Sequence, residues 1–470
     1  MIELIIQLDS SLNIPLYEQI YSHIKTEIKE GRLCKNMKLP STRAMAATLG
    51  VSRSTVDMAY SQLVSEGYVE AYSCKGYFVS DTDLLIDIEK IPNTLKKSRN
   101  KESRENGIID FNTGGIDLSA FPFNTWRKIT KNVLSADNKE LFKIGNPKGD
   151  AEFREIIKNY LYESRGVETS IDRIIVGAGN DYLFLLLSNI LGKMDIAMEN
   201  PTYMQAYRIF SALGHKIVPV NLDDRGIDIN ALSKSNVDIA YVTPSHQFPT
   251  GIIMPIKRRL ELLKWAASDD KRYIIEDDYD SEFRYVGKPI PSLHSIDIED
   301  RVIYIGTLSR SIAPAIRMSY MVLPEKLMRI YEERLKFFSS TVSRIDQTIV
   351  KEFMEFGYFE RHLNKMRSVY KLKHDLLISE INKMDTKVSV SGENSGVHII
   401  LNVDNGMSEN ELIESAKKEG VKVYPLSLFM LNKPENEKYS HAVLLGFAGI
   451  SDENIRDGIR KLDKAWKVNG

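Results

Sequence analysis

Residues 39–56 read Leu39-Pro-Ser-Thr-Arg-Ala-Met-Ala-Ala-Thr-Leu-Gly-Val-Ser-Arg-Ser-Thr-Val56. Two serines in this stretch stand where a helix begins. Ser41, just after Pro40, can cap one helix that Gly50 closes, and Ser52 can cap the next. The turn between them is very short. The helix after Ser52 presents Val56, Ala59, Tyr60 and Leu63 on one face and ends at Gly67. Upstream, Leu16, Ile20, Ile24 and Ile28 recur every fourth residue with Tyr17 and Tyr21 alongside, which predicts an earlier helix over 15–28. Three helices with a tight turn before the third make helix-turn-helix geometry. Downstream, 68–71 and 76–79 read as short strands around the turn Ser73-Cys74-Lys75-Gly76, a hairpin suited to be a wing.

The chain runs on to 470 residues, beyond the roughly 250–300 that one hydrophobic core spans, so a second domain is expected. Residues 81–107 lose periodicity and fill with Lys, Glu, Arg, Asp, Ser and Asn, the composition of a flexible linker. The predicted division is therefore a winged helix-turn-helix over 1–80, the linker over 81–107 and a body over 108–470. In the body, β-branched runs at 173–176, 239–242, 273–275 and 302–305 alternate with helical stretches, which argues a mostly parallel sheet in an α/β layer fold. A long helical region over 324–382 precedes strands near 397–401 and 443–446. The body thus reads as a large subdomain, about 108–330, and a smaller α+β one, about 331–470.

Composition removes several classes of function. Hydrophobic residues make up 43% and charged ones 27%, and no window approaches the roughly 20 uninterrupted apolar residues of a membrane span. Residues 1–9 lack the basic n-region and small-residue cleavage site of a secretory signal and read as an ordered lead-in. Two cysteines, Cys34 and Cys74, offer neither a disulfide framework nor a metal cluster and fit a reducing, cytoplasmic compartment. The net charge of −1 is no global sign of nucleic-acid binding, so any DNA contact must come from a local patch.

Such a patch exists. Over the first 80 residues acids and bases balance at eight each, yet 31–56 carries Arg32, Lys35, Lys38, Arg43 and Arg53 without one Asp or Glu. Ser52, Arg53, Ser54 and Thr55 form the first turn of the third helix, the part that enters a major groove in helix-turn-helix proteins. Hydroxyls and amides there can hold phosphate, and Arg53 can read a guanine edge. Lys38, Ser41, Arg43 and the wing residues Lys75 and Gly76 complete the predicted contacts with double-stranded DNA. The alternative is a small helical adaptor whose basic face is only solvated. The run 39–56, followed by Tyr60, Leu63, Glu66-Gly67-Tyr68 and Gly76-Tyr-Phe-Val79, closely resembles the GntR family of bacterial repressors over nearly the whole N-terminal domain.

The body resembles fold-type I aminotransferases, which use pyridoxal phosphate (PLP), in several segments. Gly177-Ala178-Gly179-Asn180 follows a strand and opens a helix, so its amides can cradle a phosphate. Tyr203, after Glu199-Asn-Pro201, falls where the resemblance puts an aromatic ring over the pyridine; taken singly it is as compatible with a packed tyrosine. Asp277 and Tyr279, in Ile275-Glu-Asp-Asp-Tyr-Asp-Ser-Glu-Phe283, follow a strand's C-terminal end, where α/β folds collect ligands. The Asp can pair with a pyridinium nitrogen, and the resemblance gives the Tyr to the ring O3′. In Ser245-His-Gln-Phe-Pro-Thr-Gly251 the resemblance brings the Gln247 amide to the same oxygen. It also makes Thr307, Ser309 and Arg317 phosphate ligands. The arrangement of GntR-like head, polar linker and aminotransferase-like body is that of the MocR subfamily, with motifs worded most like those of a GABA-responsive member. The resemblance implies a head-to-tail homodimer whose body senses PLP and a small-molecule effector.

Three positions depart from that pattern. The Schiff-base lysine should follow Ser309, and the chain has Arg310; no lysine occurs from Arg301 to Glu325. A lysine amine can lose its proton and attack a carbonyl, whereas a guanidinium stays cationic, so no internal aldimine is expected. Effector-gripping arginines of the pattern are replaced by Gln205 and Gly449. Arg310 can instead pair with the phosphate of non-covalently held PLP, or with an effector carboxylate. The leading expectation is a ligand-sensing DNA-binding regulator and no enzyme. The alternatives are an aminotransferase with an accessory head, and a constitutive DNA-binding dimer with a vestigial pocket in which Arg310 neutralises acids such as Asp277.

Overall fold

The computed structural model describes residues 6, 8, 9, 14–73, 75–81, 107–285, 290–393, 396–432 and 439–467. All but the two end residues of the predicted linker, Cys74 and most of the predicted lead-in therefore lie outside the described residues. The chain divides into two compact units, 1–104 and 105–470.

The first unit is built as its caps dictate. Helix α1 (Leu16–Lys29) buries Ile20, Ile24 and Ile28. Ser41 caps α2 (Thr42–Leu49) by accepting from the Ala44 amide, and Gly50 ends it in the left-handed conformation. Ser52 caps α3 (Arg53–Ser65), which buries Val56, Ala59, Tyr60 and Leu63. Strands β1 (Val69–Tyr72) and β2 (Gly76–Val79) pair antiparallel as the wing. The Tyr60 hydroxyl donates to the Pro40 carbonyl at 3.0 Å, tying α3 to the residue before the α2 cap.

In the second unit β3 (Ile109–Asp110) leads to α4 (Phe123–Val133) and α5 (Ala151–Arg165). The large sheet then alternates strands and helices: β4 (Ile174–Gly177), α6 (Asn180–Leu191), β5 (Asp195–Asn200), α7 (Met204–Ala212), β6 (Lys216–Asp223), β7 (Gly226–Ile227), α8 (Ile229–Lys234), β8 (Ile239–Val242), α9 (Ile256–Ala267), β9 (Tyr273–Asp278), β10 (Val302–Thr307) and β11 (Ser319–Val322). Among the described residues it has eight strands in the order β4-β11-β10-β9-β8-β5-β6-β7. From β10 to β6 neighbours run parallel; β11 is antiparallel to both its neighbours and β7 to β6. Both faces are covered, by α6 and α7 on one side and by α5, α8 and α9 on the other.

The predicted long helical region over 324–382 consists of three helices, α10 (Glu325–Arg334), α11 (Arg344–Glu355) and α12 (Tyr358–Ile381). The break is local chemistry: Ser343 caps α11, accepting from the Ile345 and Asp346 amides, and Gly357 adopts φ +69° before α12. A four-stranded antiparallel sheet follows, β12 (Val388–Ser391) pairing β13 (His398–Val403), with α13 (Glu409–Lys418) and β14 (Val421–Lys422) next in the chain. The sheet is completed by β15 (Tyr424–Pro425) and β16 (Ala442–Gly446), and α14 (Asp452–Trp466) closes the fold. Strand β14 pairs β3 in a separate two-stranded parallel sheet, so the start of the body is stitched to the smaller subdomain.

Gly251 holds φ +73°, and a Cβ there would stand 2.5 Å from the Cα of Gly392. The loop before α9 and the loop after β12 thus meet backbone to backbone. Gly251→Ala combines a left-handed backbone with a collision that no side-chain rotation relieves. It should cost more than about 2 kcal/mol in denaturant unfolding; an unchanged midpoint would show that the two loops are free to part.

Candidate functional site

In β9 the two-residue period separates three consecutive carboxylates. Glu276 and Asp278 face α5 and α9, where Glu276 accepts from the Leu293 and His294 amides and Asp278 is paired with Arg165 at 2.7 Å. Asp277 faces the other way, toward α6. It is 3% exposed, accepts from the Tyr241 hydroxyl at 2.5 Å and from the Asn180 side-chain amide at 3.3 Å. Burial, reinforced by the charges of Asp278 and Asp280, pushes its carboxyl up to about 7 against the opposing pull of those hydrogen bonds.

Asp277 lines a cavity of about 190 Å³ with Gly114, Asn180, Asp181, Tyr203, Thr243, Phe248, Tyr279, Thr307, Ser309, Arg310, Pro314 and Arg317. One end is the start of α6. Gly179 takes φ +85° there, and a Cβ on it would lie 2.5 Å from Nη2 of Arg317, so the glycine leaves room for the guanidinium. Arg317 also pairs with Asp181 at 3.0 Å. The side-chain oxygens of Asn180 and Ser309, two residues of this lining, are buried without a hydrogen-bond partner. Thr307 Oγ1 accepts from the Ser309 amide at 3.2 Å and meets the Ser319 hydroxyl at 2.9 Å. Tyr203, the residue before α7, meets Phe248 edge to face at 5.9 Å.

Eight of the eleven cofactor positions expected from sequence line the cavity: Asn180, Tyr203, Asp277, Tyr279, Thr307, Ser309, Arg310 and Arg317. Gly179 and Ala178 sit at the α6 start, where the Ala178 amide donates to Thr341 Oγ1 at 3.0 Å. Gln247 corrects the expectation. Its amide is turned away and spent on Glu199 and on the carbonyls of Pro201 and Phe248, while Thr250 donates to its oxygen, so Phe248 and not Gln247 forms that wall. Loop spacing alone did not tell which of two adjacent residues faces in. Nor does Arg310 neutralise Asp277: among the described residues its guanidinium makes no ion pair with that carboxylate and donates to the Thr113 carbonyl at 2.8 Å. Gln205 is exposed on α7, and Gly449 abuts Gly115, its Cα 3.2 Å from a Cβ built there; neither lines the cavity. Two parts of the site carried no motif in the sequence: Tyr241, which the period of β8 places on the same face as Ile239, and the Thr113-Gly114 turn.

In the first unit the α3 start is exposed. Ser52 Oγ accepts from the Thr55 amide at 3.2 Å and meets the hydroxyls of Ser54 and Thr55 at 2.8 Å each. Arg53 is 69% exposed and lies 3.6 Å from Asp57 one turn on. Ser41, Arg43 and Lys75 are exposed, Gly76 takes φ +100° in the wing turn, and Lys38 stands over the Phe78 ring at 5.7 Å. The basic run is less free than its composition implies. Arg32 is held by Glu27 and Glu30, and Lys35 pairs with Asp81, acids that lie outside 31–56 in sequence but close in space.

Residues 16–79 match the family described as bacterial regulatory proteins, gntR family, and residues 106–462 match aminotransferase class I and II. The HTH-type transcriptional regulator YdeL of Bacillus subtilis is 42% identical over 98% of this chain and 99% of its own. The probable rhizopine catabolism regulatory protein MocR of Rhizobium meliloti is 29% identical over 98% and 95%. This chain is a GntR-type regulator of the MocR subfamily. Its body is similar in structure to a kynurenine aminotransferase of Pyrococcus horikoshii crystallised with PMP, at TM-score 0.67 and 25% identity, covering 81% of this chain and 98% of that one. MocR-type architecture accounts for a DNA-binding head and an aminotransferase fold in one polypeptide. Among the described residues no helix is long and apolar enough to cross a membrane.

The buried carboxyls of the body carry a pH signature. Asp277, Glu199 and Glu282 are each pushed up to about 7, chiefly by burial, above the ~4 of unfolded carboxyls. A raised acid favours the protonated fold, so this contribution is whole below about pH 4 and is lost as pH climbs through about 7. The thermal midpoint of Asp277→Asn, neutral at any pH, should therefore fall less than the parent's between about pH 5 and about pH 8. Parallel curves would mean that Asp277 is ionised throughout.

Proposed function

We propose that the body binds PLP or a related vitamer reversibly and that occupancy changes how the heads hold DNA. The residues fit the group. Thr307, Ser309 and Arg317, with the amides at the start of α6, would hold its phosphate, and Arg310 adds a second guanidinium. Asp277 would accept from the pyridinium nitrogen, beneath the ring of Tyr203, with Tyr279 at the phenolic oxygen. When bound, PLP supplies an aldehyde and an electron-withdrawing ring. The side chains do the rest: they orient the ring, desolvate it and keep Asp277 poised to ionise.

The observation that carries this reading is the buried, unpartnered hydroxyl of Ser309 in a cavity lined by two arginines. An emptied site would have little reason to keep it, since an orphaned group costs about 1–3 kcal/mol. Arg310 weighs against catalysis, because the group at that position must shuttle protons and a guanidinium does so poorly. The regulator is proposed to act as a cytoplasmic head-to-tail homodimer on a double-stranded operator, with Arg53, Ser54 and Thr55 at base edges and phosphates and Lys38, Ser41, Arg43, Ser52, Lys75 and Gly76 around them. Coupling requires that PLP, or a second effector held near Gln205 and Gly449, bind two arrangements with different affinity.

Duplexes selected from a random pool by the purified protein give the test. Anisotropy titrations should show their Kd shifting several-fold with saturating PLP, and Arg53→Ala should weaken binding by about 1–3 kcal/mol. A Kd indifferent to PLP would leave the body a dimerisation scaffold, and an unaltered Kd in Arg53→Ala would move base reading elsewhere.

A further inference from the structure

Beside Tyr279 lies a buried pair that does not line the cavity and that the proposed ligand contacts do not use. His246 is 2% exposed and Asp280 is 1% exposed. Both carboxylate oxygens of Asp280 face Nδ1 of His246, at 2.9 and 3.1 Å, and the Tyr279 hydroxyl oxygen lies 3.0 Å from the same nitrogen. The other ring nitrogen, Nε2, is buried with no partner. Room for the imidazole is made by Gly396, at φ +79°, where a Cβ would stand 2.1 Å from Cε1 of His246 and 2.8 Å from Asp280. His398, the next ring at 5.6 Å, is occupied elsewhere, with Nε2 donating to the Pro249 carbonyl at 2.9 Å.

One nitrogen therefore serves three oxygens, and the protons can be assigned. A carboxylate only accepts, so Nδ1 must carry a proton. The opposite tautomer would aim a lone pair at the carboxylate and leave an N–H orphaned in the interior at Nε2. With Nδ1 protonated, the Tyr279 oxygen can only accept from the imidazole. Burial holds the phenol protonated, so its own proton must point elsewhere, and Tyr279 lines the cavity.

We infer that Asp280 and His246 are positioning residues that fix Tyr279 as a hydrogen-bond donor into the cavity. The site then selects a ligand presenting an acceptor oxygen there, best an anionic one such as the phenolate of a hydroxypyridine or a carboxylate, and disfavours a ligand that can only donate at that point. This rests on the reading of the cavity as a ligand site, but the proton assignment is a property of the ligand-free chain and can be measured separately.

Histidine-selective ¹⁵N NMR of the full chain, with His246 assigned by the signal lost in His246→Gln, reads the tautomer directly. Nδ1 should be the protonated nitrogen in the parent and stay so in Tyr279→Phe. An Nε2–H tautomer in the parent would overturn the inference, since the Tyr279 proton would then be drawn to His246. In PLP titrations Asp280→Leu and Tyr279→Phe should each weaken binding about 10-fold or more, the loss of one hydrogen bond to a charged group. The double variant should be no weaker than Tyr279→Phe alone. Losses that multiply would show that Asp280 acts on the ligand by another route. A parent that takes up no PLP would sink the proposed ligand while the NMR result still decides the proton assignment.

Discussion

A carboxylate removed from water at the end of a parallel sheet is the constraint around which the body is arranged. Asp277 can stay buried only because Tyr241, one strand over, and Asn180, at the start of α6, each give it a hydrogen bond. Those two contacts bring β8, β9 and α6 to one point. The same strand sends Asp278 to the opposite face, where Arg165 and Tyr304 hold it at 2.7 and 2.6 Å. Successive acids are thus separated by the pleat, one neutralised by a guanidinium and the other left with its carboxyl near the middle of the pH scale. A cationic ring placed against Asp277 would complete what the fold leaves open.

Arg310 changes what such a ring can do there. In a site built for covalent attachment the group after Ser309 must be able to lose a proton. A guanidinium anchored on the Thr113 carbonyl supplies charge and direction but no nucleophile. Gly179 still leaves room for the Arg317 guanidinium, the pair proposed to hold a phosphate. Holding without reacting suits a regulator, whose output is a population of conformations and not a product.

Much of this was legible in the residues. Ser41, Gly50 and Ser52 punctuate the head because caps and left-handed residues are local chemistry, and the predicted buried face of α3 is the observed one. The β-branched runs located strands for the same reason. What escaped reading depended on contacts distant in sequence. Nothing near Lys35 announces Asp81, and nothing in Ser245-His-Gln-Phe-Pro-Thr-Gly251 says that Gln247 turns to Glu199 while Phe248 faces the cavity. Within the helical region over 324–382 the sequence alone did not divide the helices, and Ser343 caps the one that begins at Arg344. His246 and Asp280 are 34 residues apart, so their pairing at one nitrogen was visible only in space.

The central claim is that this MocR-type body holds PLP without bonding to it. Calorimetric titration of the purified chain with PLP, followed by borohydride reduction and intact-mass measurement beside Arg310→Lys, tests it most directly. Saturable binding with an unchanged mass in the parent, and a mass raised by one reduced phosphopyridoxyl group in Arg310→Lys, is the expected result. A reducible adduct on the parent chain, or the absence of binding in both proteins, would contradict it.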